Sequence, residues 1–102
     1  MTKKFTTKDP EEVIIISFDY TDMLDTSETI TGIFAWEIEV SSGTDLTPSA
    51  LFTGSPTYGA KVTSRFITGG IDGNSYLISC IVDTTTGQRL KLSGILPIVR
   101  QV

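Results

Sequence analysis

Cys80 is a candidate nucleophile, and the residues around it in the sequence indicate whether it could react. It ends the segment DGNSYLISC, residues 72–80, and the 102-residue chain contains one cysteine and no histidine. A cysteine attacks as a thiolate, which needs an adjacent base or positive charge. Because Ile78 and Val82 share its strand parity, we expect a buried, unreactive thiol. The lack of histidine removes the commonest general base, so we predict that the protein is not an enzyme.

The acidic residues form the other candidate sites. Glu37 and Glu39 lie two apart on one strand face, where alternation with apolar residues is typical of a solvated surface. A calcium site is the alternative for the loop that follows the first long strand, because Ca²⁺ takes several carboxylate oxygens. Its candidate ligands are Asp19, Asp22, Asp25 and Glu28. Their spacing follows no calcium-loop motif and aspartate is common in turns, so we predict no catalytic residues, no metal and no cofactor.

Five segments alternate apolar and polar residues with the period of two that half-buried strands show. The predicted inward residues are Ile14, Ile16, Phe18 and Tyr20; Phe34, Trp36, Ile38 and Val40; Val62 and Phe66; Tyr76, Ile78, Cys80 and Val82; and Leu90 and Leu92. Weaker strands are expected near residues 4–6 and 49–52, and a turn at residues 53–56. Since no segment keeps a helical period, the pattern predicts an all-β fold.

Three residues favour an immunoglobulin-like order within the all-β class. Trp36 lies on the strand where such domains carry a core tryptophan, and Tyr76 follows a glycine-rich corner as a tyrosine corner would. Cys80 lies on the same strand as Tyr76, without a disulfide partner. We therefore predict an immunoglobulin-like antiparallel β-sandwich of about seven strands. It forms one domain over residues 1–102, in which residues 1–7 are a candidate flexible arm.

Composition limits the partners. The formal charge is −4, from 8 Lys and Arg and 12 Asp and Glu. No basic patch is present beyond Lys3 and Lys4, so we expect no nucleic-acid binding. The longest apolar run, residues 13–16, is far too short to cross a bilayer, and we expect no membrane association. We also expect no secretory signal, because no apolar segment follows Lys3 and Lys4, and the single cysteine favours synthesis in a reducing cytoplasm.

Two blocks carry a resemblance to a known family. KDPEE at residues 8–12, with FDYTDML at 18–24 and ETI at 28–30, forms the first, and GGIDGNSYLISC at 69–80, with TTGQR at 85–89, forms the second. They resemble small immunoglobulin-like virion structural proteins of tailed bacteriophages. The resemblance implies a protein made in the host cytoplasm and carried in the virion, as head decoration or stabilisation or at the head–tail junction. It also implies contacts with other virion proteins and with copies of itself, as a homo-oligomer.

An adhesion module of a phage tail or fibre is the alternative function. Such a module would bind host-surface carbohydrate through exposed aromatic side chains. Tyr58, in the segment GSPTYG at residues 54–59, is the best candidate for this contact, and Tyr20 is the second.

Overall fold

The computed structural model describes residues 2–101 and arranges seven strands in two packed sheets. The strands are β1 Thr2–Lys4, β2 Val13–Asp19, β3 Ile30–Ser42, β4 Phe52–Tyr58, β5 Val62–Thr68, β6 Ser75–Thr84 and β7 Arg89–Pro97. Short 3₁₀ turns lie at Thr21–Met23 and Pro48–Leu51. The predicted all-β sandwich of about seven strands is confirmed. Within these residues, no helix has the length and apolar character needed to cross a bilayer.

The strand order is β1-β7-β6-β3 in one sheet and β2-β5-β4 in the other. All pairs of neighbouring strands are antiparallel except β1 and β7, which run parallel from Thr2 opposite Ser93 to Lys4 opposite Ile95. Residues 1–7 were predicted as a flexible arm. Of these, Thr2–Lys4 form a short strand at the edge of the larger sheet. Two half-buried sheets must pack face to face to bury their apolar sides.

The core lies between the sheets and is densest along β2 and β6. Ile16, Phe18 and Tyr20 enter it from the β2 side, as the alternation predicts. Tyr76, Ile78, Cys80 and Val82 of β6 are all fully buried. Phe18 packs against Phe5 and Trp36, with ring centroids 5.6 Å away in both cases, in edge-on and tilted geometries that aromatic pairs prefer.

Phe34 was predicted to face the core, and this prediction is wrong. A register shift between Ile33 and Ala35 turns its side chain outward, and the residue is 54% exposed. Ile33 packs against the core instead. The Arg89 guanidinium lies 3.7 Å from the centroid of the Phe34 ring, a cation–π contact on the outer face of the larger sheet.

The face predicted for β5 is also reversed. Val62 and Phe66 are exposed, whereas Thr63 and Ile67 are fully buried. The inward parity of this strand includes Arg65, whose guanidinium lies 4.4 Å from the centroid of the Phe52 ring. Since β5 has apolar residues on both parities, alternation alone could not decide which of them faces the partner sheet.

The turn predicted at residues 53–56 lies inside β4. A register shift between Thr53 and Thr57 accommodates Gly54, Ser55 and Pro56 without ending the strand. β4 is an edge strand, where a proline need not donate to the ladder. The weak strand predicted at residues 49–52 is mostly the second 3₁₀ turn, and β4 begins at its end.

Candidate interaction surface

Cys80 and Tyr20 meet in the middle of the core. Both are fully buried, and the Tyr20 hydroxyl donates a hydrogen bond to the Cys80 carbonyl oxygen at 2.6 Å. Burial raises the pKa of the Cys80 thiol and also raises the pKa of Tyr20. A thiol that stays protonated is a poor nucleophile. Tyr20 was the second candidate for a carbohydrate contact, and that expectation is wrong because the residue belongs to the core.

Tyr76 joins two loops at one end of the sandwich. Its hydroxyl accepts a hydrogen bond from the Ile71 N–H at 3.2 Å and donates one to Asp45 Oδ2 at 2.7 Å. Hydrogen bonds from the Thr47 N–H and then from Tyr76 lower the pKa of Asp45. Tyr76 thereby ties the loop between β5 and β6 to the loop between β3 and β4, and its bond to a backbone group five residues upstream has the form of a tyrosine corner.

Trp36 is half-buried on the inward side of β3. Its ring packs between Phe18 and Phe52, with centroids 5.6 Å and 6.1 Å away. Among the residues that the structure describes, its buried indole N–H has no hydrogen-bond partner. These contacts place Trp36 among the aromatic side chains that pack against the core.

Tyr58 lies on the edge strand β4 and is 49% exposed. Its hydroxyl donates a hydrogen bond to the Thr31 carbonyl oxygen at 2.9 Å. That bond links β4 to β3, which belongs to the opposite sheet. The ring is open to a partner, but the polar group that would recognise a sugar is already paired within the chain.

The acidic residues do not assemble into one site. Glu37 is exposed and lies 3.3 Å from Lys91 Nζ, while Glu39 is exposed on the same strand. Asp19 Oδ1 accepts hydrogen bonds from the N–H and hydroxyl of Thr21, and Glu28 is turned inward. Over residues 2–101, no group of three or more His, Cys, Asp or Glu side chains could hold a metal ion.

The KDPEE segment fixes the start of β2. Lys8 is fully buried, and its ammonium donates to the Gly69 and Asp9 carbonyl oxygens at 2.7 Å and 2.8 Å. Burial lowers the pKa of Lys8. The Asp9 carboxylate accepts hydrogen bonds from the N–H groups of Glu11 and Gln101. These contacts anchor the entrance to β2 against two other parts of the chain.

An exposed apolar patch covers the outer face of the smaller sheet. It consists of Val13, Ile15 and Phe66, which are 59%, 55% and 48% exposed. Ile15 and Phe66 are direct cross-strand partners, so their side chains lie on the same face of the sheet. We call these three residues the β2 patch. Sequence reasoning missed it, although the run at residues 13–16 is apolar on both parities and therefore must expose one of them.

Phe34 provides a separate apolar site on the outer face of the larger sheet. It is stacked against Arg89, which also forms an ion pair with Asp83 at 2.8 Å. Since the two sheets pack through their inner faces, Phe34 and the β2 patch lie on opposite sides of the molecule. The β2 patch is grouped, as apolar contact surfaces are, whereas Phe34 is a single exposed apolar residue paired with Arg89.

Comparison with known families gives one match that spans most of the chain. The model of the family described as "Podophage GP4 fiber-tail adaptor protein gp77" matches residues 8–97. That range contains β2 to β7, the KDPEE segment and the β2 patch. None of the curated proteins and none of the solved structures matches this chain.

Proposed function

The chain belongs to the podophage fiber-tail adaptor family and is a phage structural protein, and we propose that it joins the fibres to the tail of the virion. The observation that carries the proposal is the family match over residues 8–97. The family description favours the joint between tail and fibre over the head surface or the head–tail junction, which the resemblance of the two sequence blocks left open. The protein acts through contacts with other virion proteins.

Two exposed sites on opposite faces support a connecting role. An adaptor has to contact two neighbours at once, and a single apolar surface would serve only one of them. The β2 patch lies on the smaller sheet and Phe34 lies on the larger sheet. Fibres are repeated around a tail by symmetry, so several copies of the adaptor would act together, and modest single contacts would add up through multivalency.

The strand order supports the immunoglobulin-like class within this proposal. β2-β5-β4 faces β7-β6-β3 as strands B, E and D face G, F and C in immunoglobulin domains. Trp36 lies on β3, and Tyr76 is the second residue of β6. The unpaired Cys80 is consistent with synthesis and assembly in the host cytoplasm, because packing replaces the disulfide of secreted relatives of the fold.

Carbohydrate adhesion has weaker support. Of its two candidate residues, Tyr20 is buried and Tyr58 uses its hydroxyl to bind the Thr31 carbonyl oxygen. Sugar sites need convergent polar groups beside an aromatic ring. The half-exposed ring of Tyr58 meets only part of that requirement.

Deletion of the gene tests the proposal. We expect phage particles with filled heads and assembled tails that lack fibres, seen by negative-stain electron microscopy, and we expect the purified chain to restore fibre attachment when added back. Particles that keep their fibres would contradict an adaptor role. Heads that leak DNA while fibres stay attached would favour decoration of the head instead.

A further inference from the structure

The outer edge of β2 is the least protected edge of the sandwich. Within residues 2–101, β2 forms a backbone ladder with β5 alone, and this ladder runs without a register shift from Val13 to Asp19. Exposed edges with free N–H and C=O groups readily accept another strand. The start of β2 is anchored by the contacts of Lys8 and Asp9, so the edge is held in a defined position.

The other three edges carry features that discourage pairing. β1 is only three residues long, β3 has three register shifts, and β4 has a register shift at Gly54–Pro56. Short length, bulges and proline are the devices that natural sheets use to block strand addition. β2 has none of them. Its free edge is therefore the one suited to receive a further strand.

Side chains beside this edge would add apolar burial to the backbone bonds. Val13 and Ile15 project from β2 on the outer face, and Phe66 continues the surface on β5. In strand addition, main-chain hydrogen bonds supply affinity and alternate side chains supply specificity. A partner strand with apolar residues at alternate positions would extend the β2 patch across the new strand.

Charge at the two ends of β2 indicates what flanks that strand. Exposed Glu11 and Glu12 precede β2, exposed Asp19 is its last residue, and exposed Asp22 follows it. Lys3 and Lys61 are close enough to Asp19 to help lower its pKa, after the hydrogen bonds from Thr21. At the other end Lys8 and Arg100 offset part of the charge of Asp9 and Glu12, and an acidic excess remains there because Glu11 adds a third carboxylate. A partner strand flanked by Lys or Arg complements this pattern.

A second copy of the chain fits the edge less well. Parallel pairing of two β2 strands would place Glu11 and Glu12 beside their own copies, and antiparallel pairing would place them near Asp19 and Asp22. The net charge of −4 on each chain adds to this repulsion. Opposite charge pairs across strands stabilise a sheet, whereas like charges destabilise it.

We propose that the free edge of β2 binds an extended segment of another virion protein, with apolar residues at alternate positions and flanking Lys or Arg. The bound segment forms a fourth strand on the smaller sheet, next to Val13 and Ile15. This inference rests on the proposed adaptor function and names the kind of surface through which one of the two neighbours attaches.

Photo-cross-linking from the edge tests the inference. Benzophenone maleimide is attached to Ile15→Cys, or to Glu39→Cys as a matched exposed control on the other sheet, and the labelled chain is added to particles made without it. Cys80 stays unlabelled because it is buried. We expect the probe at position 15 either to block binding or to cross-link to an apolar, Lys- or Arg-flanked segment of a tail or fibre protein. The control at position 39 should bind normally.

Two results would overturn the inference. One is normal binding of the chain labelled at position 15 without a cross-link, and the other is a cross-link to a second copy. If the unlabelled wild-type chain itself does not bind these particles, that result contradicts the proposed adaptor function and not the proposed role of the β2 edge.

A charge reversal provides the second measurement. Glu11→Lys should weaken binding to the same particles about tenfold, whereas Glu39→Lys, an equal change of charge, should alter it by less than about twofold. Equal effects of the two substitutions would contradict a basic flank on the partner strand. Sedimentation of the isolated wild-type chain should show a monomer. If the chain is instead a dimer, and the cysteine of Ile15→Cys is not labelled in that dimer, the edge of β2 binds a second copy and the inference is wrong.

Discussion

At the scale of single residues, two buried tyrosines show how polar tips are accommodated in this core. Tyr20 and Tyr76 are both fully buried, yet each hydroxyl has a partner: the Cys80 carbonyl oxygen for Tyr20, and Asp45 with the Ile71 N–H for Tyr76. A buried hydroxyl without a partner is costly. The two residues therefore contribute apolar area and a fixed point of attachment at once.

Tyr76→Phe tests the attachment at the loop corner. The substitution keeps the ring but leaves the Asp45 carboxylate and the Ile71 N–H without this partner, so the free energy of unfolding should fall by about 1–3 kcal/mol. Tyr58→Phe is the matched control on the surface, and it should cost about 0.5 kcal/mol or less. Urea unfolding followed by tryptophan fluorescence of Trp36 measures both. Equal costs would show that the Tyr76 hydroxyl does not support the corner.

At the scale of elements, Glu28 connects the β2–β3 loop to the turn between β6 and β7. Its carboxylate is buried and accepts hydrogen bonds from the hydroxyls of Thr84 and Thr86 and from Gln88 Nε2, at 2.9 Å for the last. The Asp25 N–H completes the set at 3.1 Å. Led by the two threonine hydroxyls, these bonds lower the pKa of Glu28 to about 2.

The lowered pKa predicts how stability changes with pH. A carboxyl whose pKa is lower in the folded state stabilises the protein above its ordinary pKa of 4.5, and this contribution is lost as pH falls from there toward about 2. Glu28→Gln should therefore be less stable than wild type near neutral pH, and the difference should shrink in acid. Urea unfolding at about pH 7, 5 and 3 measures it. Exposed Glu39→Gln is the control, and a Glu28→Gln difference that stays constant with pH would contradict the network.

The elements also show how far the sequence determines the fold. Alternation predicts β2 and β6 correctly because one parity of each strand is apolar, from Ile14 to Phe18 in β2 and from Tyr76 to Val82 in β6. The other parity also carries polar residues, such as Ser17 and Asp19 in β2 and Ser79 in β6. Alternation fails on β5, because Phe66 and Ile67 are both apolar and lie on opposite faces of the strand. Packing against the other sheet buries Ile67 and leaves Phe66 exposed. It also fails at Phe34, because the register shift between Ile33 and Ala35 changes which face of β3 the side chain is on. The alternation of residue types does not reveal this shift. The β2 patch was accessible in principle, since an apolar run on both parities must leave one of them exposed.

At the scale of the whole molecule, exposed apolar residues lie on opposite faces of an acidic sandwich. The β2 patch lies on one face and Phe34 on the other, while the core holds the cysteine and most of the aromatic residues. Grouped exposed apolar side chains such as the β2 patch are typical of contact surfaces. Of the residues that first suggested chemistry, Cys80 lies in the core, and Glu37 and Glu39 are exposed on the surface.

Cross-linking mass spectrometry of intact virions tests the adaptor role most directly. Exposed Lys3, Lys4 and Lys91 are available to an amine-reactive reagent, and fully buried Lys8 serves as the internal control that should not react. We predict cross-links from this chain to a tail protein and to a fibre protein in the same particles. Cross-links to head proteins alone, or the absence of the chain from purified virions, would contradict the account.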